Sequence, residues 1–330
     1  MSGLSVAIER PDPLLCETPL PLMRTFYPLG YPANIATNCR EIMDAAESVW
    51  GKYAANHHTD IGRVELRLAV SPSAAGETPP PAVLPRAQGH LVSFVHDVRN
   101  WAVCDLRTGF AFGWLTQAVA HNRSHVRYHF VEPVIGLMMD ALYFSVVHAA
   151  CVSWHGRGIL LCGDSEAGKS TLAYACAKRG WTYIGDDASH IVREADDRIV
   201  LGNCHQIRFR PPTAELFPEL RAFQPAIRPN GKPTVEVDTA ELKIDTYPET
   251  EIDYVVFLNR RTDRRQTIEP FDRMEALERL DSVHCVGEEA VRAEQRASLR
   301  RLLAAPVLEM TYHDLNWAEA RLRSLVANGD

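Results

Sequence analysis

The sequence predicts an α/β domain over residues 136–330, a mixed sheet with covering helices, preceded by an α+β domain over residues 1–135. Three observations carry this expectation. The first is Gly163-Asp164-Ser165-Glu166-Ala167-Gly168-Lys169-Ser170-Thr171, which fits the phosphate-loop pattern with a glycine at each required place and a Lys-Ser pair near its end. The second is its setting. The apolar run 158–162 in front reads as a buried parallel strand, and residues 169–179 behind it place Leu172 and Cys176 one turn apart on a helix. The third is a change of pattern near Leu142, where short strands give way to strand and helix in turn.

In chain order, residues 1–30 are proline-rich and read as an arm or an irregular first strand. Asn38 is the expected N-cap of a helix over 39–53, in which Ile42, Ala46 and Val49 share a face. Residues 63–70 alternate polar and apolar as a half-buried strand does, and 71–85, with three consecutive prolines, is a surface loop. Strands are expected over 91–96, 101–106, 110–115 and 125–131, with a turn at Arg107-Thr108-Gly109. Two histidine pairs, His57-His58 and His121 with His125, have the residue type for metal ligation, yet no partner cluster is visible beside them, so they read as loop or strand-edge histidines. Trp50, Trp101 and Trp114 read as core or interface anchors.

The apolar segment 134–152 is interrupted by Asp140 and His148, so it reads as a buried helix over 134–145 leading into a strand rather than as a membrane span. Strands over 147–154 and 158–162 form a hairpin about His155-Gly156-Arg157-Gly158. After the loop helix, Gly180 ends it and a short strand over 181–185 runs into Asp186-Asp187. A strand-helix-strand crossover then leaves the acidic pair at the same end of the sheet as the loop. Further strands are expected over 206–210, 234–237, 252–258 and 307–311, and helices over 271–280, 288–303 and 316–326.

The chemistry follows from those positions. Gly163 and Gly168 let the backbone turn with its N–H groups inward at a helix start, a cradle for polyphosphate. Lys169 would reach the terminal phosphates and the Ser170 hydroxyl would ligate Mg²⁺. Of the two carboxylates, one can hold Mg²⁺ and the other can accept the proton of an attacking hydroxyl or water; Gly-Asp-Asp is also ordinary turn chemistry. Arg208 and Arg210 share one face of a strand, with His205 just before it and Lys232 in the turn 229–233. All four are candidate phosphate or substrate contacts, or else a solvated face.

The stretches 148–153, 158–170, 177–180 and 184–188 resemble the C-terminal catalytic domain of the HPr kinase/phosphorylase family, whose fold is related to phosphoenolpyruvate carboxykinase. The resemblance implies that Lys169 binds phosphate, that Ser170 and Asp186 or its neighbour bind the metal, that the other aspartate, Asp187 in this assignment, is the base, and that His148 lines the site. It also implies ATP and Mg²⁺ as cofactors and a homo-oligomer. The sequence departs from the family in three ways. Thr171 stands where a glutamate is typical, the glycine-rich partner signature is replaced by the run 203–211, and the family's usual N-terminal domain is not evident in residues 1–130.

Composition excludes other classes. A net charge of −7 argues against nucleic-acid or anionic-membrane partners. The eight cysteines form no Cys-x-x-Cys pair and no zinc spacing, which fits reduced thiols in the cytoplasm. Residues 1–13 lack the apolar core of an export signal. The expectation is therefore a cytoplasmic ATP- and Mg²⁺-dependent kinase that phosphorylates a hydroxyl, on a protein serine or a small molecule. The alternatives are a nucleotide-binding regulatory module without catalysis and a nucleotide hydrolase.

Overall fold

The computed structural model describes residues 17–57, 64–193, 197–228, 231–281 and 288–328. His58, Cys16, Cys285, Arg63 and the Pro229-Asn230 part of the expected turn lie outside them. The chain divides into two compact units, Met1–Met138 and Met139–Asp330.

The first unit is built on a seven-stranded mixed sheet. Its elements are β1 (Leu22–Phe26), β2 (Ala33–Thr37), α1 (Arg40–Trp50), β3 (Val64–Ser71), β4 (Arg86–Gln88), β5 (Leu91–Val95), β6 (Trp101–Asp105) and β7 (Phe110–Thr116), followed by α2 (Gln117–His121), α3 (Arg123–Val126) and a π-turn over Arg127–Val131. The strand order is β1-β2-β3-β7-β6-β5-β4, with β2, β3 and β7 mutually parallel in sequence of pairing and the other neighbours antiparallel. Asn38 does not cap α1. Its side-chain amide pairs with the Val70 backbone, accepting from N–H at 2.8 Å and donating to C=O at 3.0 Å, and so ties the helix entry to β3. The expected strand over 125–131 is helical. Asn122 caps it by accepting from the His125 N–H at 3.0 Å, and Val126 and Phe130 are buried four residues apart. Aromatic and β-branched content had mimicked a strand there, but the buried face has helical spacing. His121 pairs with Glu41 at 3.0 Å, and His57 stacks on Tyr31.

Helix α4 (Glu132–Leu142) carries the chain into the second unit, and among the described residues no helix is long and apolar enough to cross a membrane. The expected strand over 147–154 is two strands, β8 (Phe144–Val147) and β9 (Ala150–Trp154), because the chain leaves one partner for another at His148-Ala149. Then come β10 (Arg157–Cys162), α5 (Lys169–Ala177), β11 (Thr182–Gly185), β12 (Ser189–Val192), β13 (Ile199–Gly202), β14 (Gln206–Phe209), α6 (Thr213–Leu216), β15 (Ala226–Ile227), β16 (Pro233–Asp238), α7 (Thr239–Leu242), β17 (Glu249–Arg260), β18 (Thr267–Pro270), α8 (Arg273–Asp281), α9 (Glu289–Leu302), β19 (Val307–Tyr312) and α10 (Leu315–Asn328). The main sheet runs β11-β9-β10-β17-β13-β12-β8, and β19 adds to β17 and β18 to β19. A separate small sheet is β14-β16-β15.

Strand β17 is the spine. Its first residues pair antiparallel with β13, its middle parallel with β10, and its end parallel with β19. Side chains of β10 alternate between two cores. Ile159 and Leu161 face α5 and α10, while Leu160 and Cys162 face α8 and α9. A strand covered on both faces must be apolar at every position, which is why 158–162 shows no alternation. The hairpin of β9 with β10 and the antiparallel pairing of β11 with β9 make β11 parallel to β10. The ends of β10 and β11 therefore emerge on one side, as the crossover argument requires.

Gly185 and Gly202 let β11 and β13 approach closely behind that end. A Cβ on Gly202 would overlap the Ile184 carbonyl oxygen, and one on Gly185 would sit 3.2 Å from the Gly202 Cα. Gly202→Ala is expected to destabilise the protein by roughly 1–3 kcal/mol, the usual cost of overpacking. The urea midpoint should fall with the slope unchanged; an unshifted midpoint would mean the two strands can part at no cost.

Candidate active site

Between β10 and α5 the chain turns through Gly163 at φ +141° and Gly168 at φ +94°, with Glu166 also left-handed at φ +73°. No side chain fits at either glycine. A Cβ on Gly163 would meet the Leu258 carbonyl oxygen at 2.9 Å, and one on Gly168 would collide with the Tyr312 hydroxyl. That hydroxyl donates to the Ala167 carbonyl at 2.9 Å, so the end of β19 clamps the loop from behind. Lys169 opens α5 and is 6% exposed. Its Nζ donates to the Gly163 and Asp164 carbonyls at 2.8 and 2.9 Å. Burial holds the ammonium below the usual lysine range.

Asp186 and Asp187 follow β11 and face the loop, and adjacent positions give them different surroundings. Asp186 is 5% exposed and accepts the Arg208 backbone N–H at Oδ2, 2.9 Å away. Burial first, and the Asp187 carboxylate second, push it up to about 6. The Asp187 carboxylate is 44% exposed and carries Arg208 at 3.2 Å and Arg228 at 3.9 Å on Oδ2. Arg208 also reaches Glu236 at 3.2 Å, so it spans two carboxylates. The His148 ring lies 2.7 Å by Nδ1 from the Asp187 carbonyl oxygen. A carbonyl only accepts, so Nδ1 carries the hydrogen of this contact.

These groups line one cleft of 600 Å³. Of the residues singled out from sequence it gathers His148, Ser165, Glu166, Gly168, Lys169, Ser170, Thr171, Asp186, Asp187, Arg208, Arg210 and Lys232. Gly163, Asp164 and Ala167 form the back of the loop without lining the cleft. His205 is not brought in. Its carbonyl accepts the Thr239 N–H at 3.2 Å. Three residues escaped the sequence reading. Arg228 stands one place before the turn at 229–233, and Arg260 ends β17 as Asp186 follows β11, so both had a signal of position. Tyr312 had none, being 145 residues from its partner.

The donor set suits a hard divalent cation, since Asp186, Asp187 and Ser170 offer oxygens only. Among the described residues, no three His, Cys, Asp or Glu side chains stand converged as a metal cage. Mg²⁺ does not need one, because it takes one or two carboxylates and completes its shell with water and substrate phosphates. The side-chain-free space over Gly163 and Gly168 at the start of α5 likewise suits a phosphate.

An α/β domain with a glycine loop at a helix start and a carboxylate pair at the neighbouring strand end is the class defined so far. Residues 142–210 match the model of the HPr Serine kinase C-terminal domain. HPr kinase/phosphorylase of Peptoclostridium acidaminophilum is 34% identical over 97 residues, 28% of this chain and 32% of its own length. HPr kinase/phosphorylase 1 of Oceanobacillus iheyensis is 34% identical over 80 residues, 24% of each chain. The chain thus spans a third or less of the curated relatives it matches. The solved Hpr(Ser) kinase/phosphatase from Coxiella burnetii aligns at 14% identity and a TM-score of 0.30, covering 56% of this chain and 95% of that one.

The raised Asp186 has a consequence for stability. Its ordinary value is 3.8 and its folded value about 6, so the fold favours the neutral acid. The stabilisation is complete below the lower value and is lost as pH rises through the upper one, a difference on the order of 3 kcal/mol. Asp186→Asn should therefore melt higher than wild type at alkaline pH without metal, and level with it in acid. Parallel melting curves at every pH would show that Asp186 is not ionising against the fold.

Proposed function

We propose that the second unit binds ATP with Mg²⁺ and transfers the γ-phosphoryl group to a hydroxyl, on a protein serine or a small molecule. The observation that carries this reading is the meeting of Lys169, Ser170, Asp186, Asp187 and Arg208 in one cleft. The partial match to HPr kinase sequences supports it.

In this reading the loop N–H groups and the Lys169 ammonium hold the β- and γ-phosphates, the ammonium exchanging the Gly163 and Asp164 carbonyls for phosphate oxygens. Asp186 and Ser170 would hold Mg²⁺, which when bound neutralises charge on the phosphates. Asp187, the more accessible carboxylate, takes the proton of the acceptor hydroxyl. The oxygen so freed forms a bond to the γ-phosphorus as the bond to the bridging oxygen of the leaving diphosphate breaks. His148 positions Asp187 through its backbone carbonyl. Arg208 and Arg228 stand where charge on the transferring group would need a counter-ion.

Purified protein incubated with γ-labelled ATP and Mg²⁺, alone and with cell extract, tests this. Label is expected in an acceptor. Lys169→Ala should lower transfer by on the order of a hundredfold or more. Asp187→Asn should keep nucleotide binding and lose roughly 10²–10⁴ in rate. Nucleotide binding without transfer would replace this reading with a regulatory module, which Thr171 in the family's usual glutamate place would then explain. Label released only as free phosphate would replace it with a hydrolase.

A further inference from the structure

The cleft has a second wall that the transfer reading uses only in part. Strands β14, β16 and β15 form a small antiparallel sheet with two unlike faces. Ile207, Phe209, Val235 and Val237 are buried on one of them, where the Phe209 ring centre lies 5.1 Å from that of Tyr174 on α5. The pleat turns every second residue the other way. Arg208 stands opposite Glu236, and Ala226 opposite Thr234, so Arg208, Arg210, Lys232, Thr234 and Arg228 fall on the second face. The Arg228 N–H donates to the Lys232 carbonyl at 3.2 Å, which carries the pairing on to those two residues. All five line the cleft.

Four cations on one face of so small a sheet are a local field in a chain whose net charge is −7. Arg208 and Arg228 are committed to Asp187, and Arg208 to Glu236 as well. Glu215 lies at the exposed rim of this wall. Arg210 is half-buried, lines the cleft and forms no ion pair among the described residues. The nucleotide has no call on it. In the reading above its phosphates lie on the loop, against the backbone N–H groups, Lys169 and the metal, and Arg208 with Arg228 meet the group in transfer. Arg210 follows Arg208 on the same face, about 6.5 Å along the chain. An anion held there stands within a few bonds of a hydroxyl placed at Asp187.

We propose that Arg210 and Lys232 hold an anionic group of the acceptor itself, a carboxylate or phosphate within a few bonds of the hydroxyl that is phosphorylated. This rests on the phosphotransfer reading and narrows its substrate class. A guanidinium meets either anion through two parallel N–H bonds, and the exposed Lys232 ammonium adds a point charge on a flexible stem. The anion fixes one end of the acceptor while Asp187 takes the hydroxyl proton at the other, so the reacting oxygen is oriented before transfer. A neutral alcohol must displace water from the same cations and gives them no acceptor of equal strength in return. The anion can belong to a free hydroxy acid or phosphorylated metabolite, or to an acidic residue beside a protein serine.

The test is transfer of label from γ-labelled ATP into cell extract by the full chain, with glycerol, glycerate or glycerol 3-phosphate added as probes that share hydroxyls and differ in charge. Glycerate or glycerol 3-phosphate should inhibit in competition with the extract and not with ATP, and glycerol should leave transfer unchanged. Arg210→Gln should weaken that inhibition at least about tenfold, and by more than it changes the KM for ATP. Arg210→Lys should restore part of it, and Arg321→Gln, exposed on α10, should match wild type. Circular dichroism checks each fold, and Lys232→Gln serves if Arg210→Gln does not fold. Filtration then assigns the source, a metabolite if the label passes and a protein if it is retained. Inhibition in competition with ATP, no greater inhibition by the anions than by glycerol, or full inhibition of both glutamine variants would overturn the proposal and leave the transfer reading standing. ATP binding with no transfer into any extract component would remove that reading, and this proposal with it.

Discussion

A buried ammonium must find acceptors, and Lys169 finds them in the carbonyls of its own loop. This contact sets the shape of everything around it. The carbonyls of Gly163 and Asp164 can reach Nζ only if the loop folds back tightly, which Gly163 and Gly168 permit through backbone conformations that other residues adopt with strain. Behind the tight loop the Leu258 backbone and the Tyr312 hydroxyl stand where side chains on the two glycines would be. The parallel pairing of β10, β17 and β19 brings those two atoms there. The ammonium is thus satisfied by its own loop, and a phosphate arriving there would compete with carbonyl oxygens.

The opposite charge is arranged with equal economy. A strand end buries Asp186 and leaves Asp187 more open to the cleft, so two identical side chains acquire different surroundings and different access. Arg208 ties the outer one to Glu236 on the small sheet, which makes the position of β14 and β16 part of the electrostatics of the site. The cleft therefore draws its cations from four places: α5, β14, the segment before β16, and the end of β17.

Much of this was legible in the sequence, for identifiable reasons. Strand, loop and helix at 158–177 each carry a local signal, and the acidic pair follows an apolar run that can only be a strand, so the core of the site could be assembled from short stretches. Residues whose position depends on tertiary pairing were not legible. Tyr312 looks like any aromatic strand residue until β19 is laid beside β17. His205 stands just before β14, as its place in the sequence suggests, but nearness along the chain does not bring it into the cleft. The helix at 123–131 read as a strand because its buried Val126, Phe130 and Val131 are all good strand formers. Asn38 read as a helix cap because its amide bonds to β3 cannot be seen before the sheet is built.

The hydrogen bond from Tyr312 to Ala167 bears on how the protein comes into being. The segment 142–210 that carries the family likeness contains the loop and both aspartates, but neither β17 nor β19. On the ribosome the loop emerges long before its clamp, and the parallel strands that flank β10 must wait for residues 249–312. Pairings of such sequence separation form late and slowly. The growing chain accordingly passes through a stage in which the loop and both aspartates have been made but the strands that hold the loop from behind have not.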